Sequence, residues 1–247
     1  MRWTRNKRGE KQLWYNDGEI EEIMWSELSL ASLLPDASKP EVDIESFVEC
    51  HLRAEFDRTA VLPADVLGET EFVWNGNPII RINRDLTGSA LDDEQCPLGT
   101  LGRWRATVAH EASHAILHKI LFSEKPGQQA TFAFSVQEET KTEFPRVFRS
   151  LKRDVSFSCS GQFDWREVQA NKGMAALLMP KKLFLELFDA LVAEAALLPS
   201  QLTAGSSETP ALAGTLAERF KVSKQAATIR IETLGALGRH VQPRLLF

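Results

Sequence analysis

TLGRWRATVAHEASHAILHKILF, residues 100–122, decides the fold of this chain. Leu101, Trp104, Val108, Ala112, Ala115, Ile116 and Leu121 form a broad apolar face at helical spacing, which predicts a long helix with that face turned into a core. Inside it, His110-Glu111-Ala112-Ser113-His114 sets two imidazoles four residues apart, on one side of the helix, where both can reach one metal ion. Burying imidazole and carboxylate without partners would be costly, and a metal supplies the partner. Glu111, between the two histidines, is the candidate general base for a metal-activated water.

A catalytic zinc site takes three protein ligands and keeps a further position for water, so a third ligand is required from elsewhere. The extended motif that places glycine and histidine further along the same helix is excluded, because Leu117 and Ile120 stand there. His118 lies one more turn along the face, but three ligands at i, i+4 and i+8 span about 12 Å of rise, so it is expected as an outer contact. The downstream acidic candidates are Glu138, Glu139, Glu143, Asp154, Asp164 and Glu167. Of these, Glu167 opens a clear amphipathic helix, predicted over 164–179 and stopped by Pro180, that could pack against the first.

Working outward, an early core helix is expected from Val42 to Leu52, and two short strands over 71–83 around an Asn75-Gly76 turn. Ile80, Arg81 and Ile82 are candidate substrate-binding residues there, where an extended peptide could add as a strand. Residues 123–163 mix proline, glycine and polar residues and read as an irregular excursion, long enough to suspect a lid. A further helix is expected over 183–198, then a linker-like run to Pro210 and a small helical unit. The first dozen residues carry Arg2, Arg5, Lys7, Arg8 and Lys11 against Glu10 and read as a tail. The expected organisation is a tail or extension over 1–36, a main domain over 37–200 and a C-terminal unit over 201–247.

With 43% hydrophobic residues in 247, the chain can bury a sizeable core. No apolar run reaches the roughly 18–20 residues of a membrane span, and the basic N-terminus lacks the apolar stretch of a secretory signal, so a cytoplasmic protein is expected. Three widely spaced cysteines without a C-x-x-C pair argue against both a thiolate zinc cluster and a disulfide framework. A net charge of -5 does not suit a protein that coats nucleic acid.

His110-Glu111-Ala112-Ser113-His114, followed by Glu167-Val168-Gln169-Ala170-Asn171 and Leu177-Leu178-Met179-Pro180, resembles the ImmA/IrrE family of metallopeptidases over roughly residues 40 to 240. The resemblance implies an α+β, mainly helical zincin-like core with a small sheet beside the metal helix and a C-terminal helical unit. It also implies Zn2+ as cofactor, Glu167 as third ligand, Glu111 as base, and an outer role for His118 and Asn171. The implied substrate is a protein, often a helix-turn-helix repressor whose cleavage releases regulated genes. The chain departs from the family at Gly173-Met174, where relatives carry Phe-Ala, and in the long separation of His114 from Glu167.

Two other classes compete. Residues 216–227 have helix-turn-helix-like spacing, and 201–247 carry six basic against three acidic groups, which would suit a DNA-binding regulator. Leu216, Phe220, Val222, Ala226, Ile229 and Leu234 also explain that pattern as a cap packed on the main domain. A zinc-containing interaction module without turnover is less attractive, since a structural site needs no base.

Overall fold

The computed structural model describes residues 1–5, 11–92, 95–122, 146–150, 165–197, 202–203 and 205–237. Two short antiparallel strands, β1 (Arg2–Arg5) and β2 (Lys11–Trp14), lead into α1 (Asp17–Leu30). Asn16 opens α1 with a reciprocal cap: its Oδ1 accepts the Glu19 N–H at 2.9 Å, and Glu19 Oε2 accepts the Asn16 N–H at 2.8 Å. Ile20, Met24 and Leu28, four residues apart, are buried, as are Leu13 and Tyr15. The expected tail over 1–36 is therefore corrected: Leu13, Tyr15, Ile20, Met24 and Leu28 belong to the core, because α1 has an apolar stripe to bury.

The early helix is split into α2 (Ile44–Ser46) and a turn of π-helix over Phe47–His51, with Phe47 and Val48 buried. Strands β3 (Glu55–Ala60), β4 (Val66–Glu71), β5 (Ile79–Asn83) and β6 (Arg146–Ser150) form a sheet in the order β3-β5-β4-β6. β4 and β5 are the expected hairpin, but β4 ends at Glu71, paired with Ile79, so residues 72–78 form the connection. Asn75 takes a φ of 52° there, which asparagine tolerates better than most residues.

β5 pairs with β4 on one edge and, in parallel, with β3 on the other. Strand addition beside Ile80, Arg81 and Ile82 is thus overturned, since the backbone groups it needs are already in ladders. Ile80 and Ile82 are fully buried, and Arg81 Nη1 donates to Glu69 and Glu71 at 2.8 and 2.7 Å.

Helices α3 (Arg84–Leu91), α4 (Leu98–Leu117), α5 (Trp165–Leu178), α6 (Lys181–Glu194), α7 (Thr209–Phe220) and α8 (Lys224–Thr233) complete the α+β chain. α4 ends at Leu117, earlier than expected; His118 is its C-cap and a 3-10 turn covers Lys119–Phe122. Of the excursion over 123–163, only the backbone of β6 lies within the described residues.

α4 packs against α5 and β4. Gly173 makes the close approach of α5 possible, because a Cβ there would meet Ser113 Oγ at 2.7 Å and both Ser113 Cβ and Met24 Cε at 2.8 Å. Gly173→Ala is expected to be net destabilising, overpacking by about 1–3 kcal/mol outweighing the helix-propensity gain of at most about 1 kcal/mol. Gly214, inside α7 with nothing within 4 Å of its Cβ, is the control. Gly214→Ala should stabilise by roughly 0.5–1 kcal/mol, and urea unfolding of the two variants checks the opposite signs.

The α7–α8 unit turns through Lys221, left-handed at φ 53°, and Ser223 caps α8. This turn is pressed onto the start of α4, where a Cβ on Gly102 would lie 2.5 Å from the Ser223 nitrogen. Buried Arg230 fixes α8 through bonds to Glu21 at 2.6 and 2.9 Å and to the Met179 carbonyl at 2.7 Å. That clamp turns Ala227, Arg230 and Ile231 inward and leaves Ile229, expected in the core, 50% exposed.

Candidate metal centre

The side chains that matter on α4 are held on the face between the sheet and α5. His110, Glu111, His114 and His118 are all buried. α5 brings Glu167 in its first turn opposite the two histidines of the motif. Glu167 Oε2 lies 3.2 Å from His110 Nε2, its Oε1 3.4 Å from His114 Nε2, and the two Nε2 atoms are 3.0 Å apart.

These separations fit a metal. Ligands at about 2.0–2.1 Å from a tetrahedral ion stand about 3.3 Å from one another. Glu167 Oε1 is buried and, among the described residues, receives no hydrogen bond. His110 Nδ1 lies 3.1 Å from Asn171 Oδ1, an acceptor, so the ring proton sits on Nδ1 and Nε2 presents a lone pair. A carboxylate oxygen and an imidazole lone pair converging in a buried place suit a cation between them. His110, His114 and Glu167 could thus hold a metal ion, all their ligand atoms lying within 4.8 Å.

Glu111 turns toward the sheet, where buried Thr70 on β4 places its hydroxyl 2.7 Å from Glu111 Oε2. Gly68, two residues earlier, allows this contact, because a Cβ there would meet Thr107 Cγ2 at 2.9 Å and Glu111 Cγ at 3.2 Å. One turn beyond Glu111, a cleft of about 350 Å³ opens between α4 and the 72–78 connection, with Phe72, Pro78 and Ala115 along its walls and Asn75, Asn77 and Lys119 at its polar rim.

Outside the ligands, His114 Nδ1 lies 2.9 Å from His118 Nδ1, and His118 Nε2 lies 3.3 Å from Gln169 Oε1. Gln169 Nε2 donates to the Leu13 carbonyl at 3.1 Å, and the Tyr15 hydroxyl donates to the Leu117 carbonyl at 3.2 Å. Burial, reinforced by the His114 ring, holds His118 well below the ordinary histidine value. The unfolded chain therefore takes up a proton near pH 6.5 that the folded chain refuses. This contribution to stability is complete above that pH and is lost as pH falls below it. Urea unfolding of metal-free protein is expected to show weaker folding on mild acidification, and His118→Gln should flatten the dependence.

The structure brings together His110, His114 and Glu167, keeps Glu111 on the same helix, and sets His118 and Asn171 behind the imidazoles. Ile80, Arg81 and Ile82 are not in this group. Thr70 and Gln169 were missed by the sequence reading. Gln169 lies two residues after Glu167 and had a weak signal, an amide on the buried side of a helix; Thr70 had none beyond its strand. No helix among the described residues is long and apolar enough to cross a membrane. Comparison of the chain with protein-family models, curated proteins and solved structures finds no match.

Proposed function

We propose that the chain is a zinc-dependent endopeptidase with a zincin-like core of the ImmA/IrrE kind, acting on a protein in the cytoplasm. The observation that carries the reading is the convergence of His110, His114 and Glu167 while Glu111, one residue from the first ligand, carries a carboxylate oriented by Thr70. A structural site would have no use for that carboxylate.

Zinc held there would polarise a peptide carbonyl and acidify an attacking water. Glu111 takes the proton of that water and passes it to the leaving nitrogen. The Thr70 hydroxyl, donating to Oε2, fixes the carboxylate so that its other oxygen serves as base. Asn171 holds the His110 ring in its ligating orientation. The cleft beside Ala115 and Phe72, rimmed by Asn75, Asn77 and Lys119, is the place for a substrate side chain.

The substrate suggested by the family resemblance is a helix-turn-helix repressor, which makes this a regulatory protease. Capping of the core by α7 and α8 supports a peptidase over a DNA-binding regulator, since the turn and Arg230 are engaged inside the chain. The test is metal content by plasma mass spectrometry, with cleavage of a peptide library read by mass spectrometry. About one zinc per chain is expected, with cleavage abolished by chelation and restored by zinc. A chain that takes up no stoichiometric metal after zinc is supplied overturns the reading.

A further inference from the structure

The contacts behind His114 form a line of groups whose hydrogen-bond directions are not free. The Leu13 carbonyl can only accept, so the Gln169 amide nitrogen faces it at 3.1 Å and Gln169 Oε1 faces the other way. That oxygen can also only accept, so His118 Nε2, at 3.3 Å, carries a proton. Neutral His118 then has a lone pair on Nδ1, which faces His114 Nδ1 at 2.9 Å and takes its proton as the shared one. His114 is left with a lone pair on Nε2, the atom turned to Glu167 and His110. Each group in the line is buried: Leu13, His118 and His114 at 0% exposure and Gln169 at 1%.

We propose that the Leu13 carbonyl, Gln169 and His118 act as a tautomer relay that sets the ligating nitrogen of His114, making the strand before α1 a working part of the metal site. Metal-bound imidazoles are ordinarily oriented by a carboxylate or a backbone carbonyl on the second nitrogen. Here a backbone carbonyl does so at a distance, two side chains removed, and Gln169 is a positioning residue. The same segment touches the end of α4 a second time through Tyr15 and Leu117. Displacing residues 11–15 would therefore disturb the site from outside the substrate cleft. The inference rests on the metal-site reading above, but its first readout does not need the metal.

The experiment is nitrogen-15 NMR of the histidine rings in metal-free protein at neutral pH, followed by zinc affinity from competition with a chelator. The variants are Gln169→Leu, which removes the amide shared by His118 and the Leu13 carbonyl, and His118→Phe, which removes the next link in the line. In wild type, His114 should be in the Nδ1–H tautomer. Gln169→Leu should mix the tautomers and weaken zinc binding by about 10–100-fold. His118→Phe should mix them too, because the acceptor at His114 Nδ1 is then gone, with circular dichroism checking that each variant is folded. The relay is overturned if either variant, while folded, keeps the tautomer of wild type. A wild-type chain that shows the Nδ1–H tautomer yet takes no zinc leaves the relay standing and removes the metal reading.

Discussion

Glu111→Gln is expected to keep the metal and lose turnover, with cleavage falling by about 10²–10⁴-fold, the range a positioned general base supplies. Glutamine matches the shape of glutamate and still offers an oxygen to the Thr70 hydroxyl, which lies 2.7 Å from Glu111 Oε2, so the helix face should be unchanged. What disappears is the only function that shape does not carry, acceptance of a proton. Zinc content and cleavage of the peptide library, measured on the same preparation, separate the possibilities. If cleavage survives, the base is another group; if zinc is lost as well, Glu111 is a ligand and the assignment of Glu167 must be revised. Thr70→Val offers a graded version, because it removes the hydroxyl that orients the carboxylate but leaves the carboxylate. Its loss should be smaller than that of Glu111→Gln, and should fall on kcat rather than KM.

How much of this was legible in the sequence follows from where the forces act. α4 was readable because its apolar spacing and the i, i+4 histidines are local to one helix. Glu167 was readable as the acid opening the next strong helix. Thr70 and Gln169 were not, because what gives them a role is which strand lies beside α4 and which backbone carbonyl ends there, both long-range facts. The N-terminal segment was misread because a run of basic residues up to Lys11 outweighed the quieter Asn16 cap and Ile20-Met24-Leu28 stripe behind it. β5 was misjudged for a related reason: the alternation in 79–83 identifies a strand, but strand order, which decides whether an edge is free, depends on β3 arriving in parallel from earlier in the chain. Gly173, a departure from the family pattern, has its reason in the Ser113 side chain across the α4–α5 contact.

Glu167→Ala should remove the metal more completely than any change behind the ligands. An outer contact such as Gln169 costs about 10–100-fold in affinity because the imidazole it orients can still bind. Glu167→Ala deletes a donor and the negative charge that partly offsets the dication, so the loss should exceed that range. Neither neighbour can take its place. His118 is engaged on both nitrogens, with His114 at 2.9 Å and Gln169 at 3.3 Å. Asn171 Oδ1 faces Nδ1 of His110, away from the ligating Nε2. The variant should still fold, since Glu167 heads α5 while the packing of that helix is carried by Ala170, Gly173, Ala176, Leu177 and Leu178. Circular dichroism should be unchanged while bound zinc, by plasma mass spectrometry after exhaustive dialysis, falls from about one per chain toward none. Retention of zinc in a folded Glu167→Ala chain would move the third ligand to another residue and leave the two histidines as the only fixed part of the site.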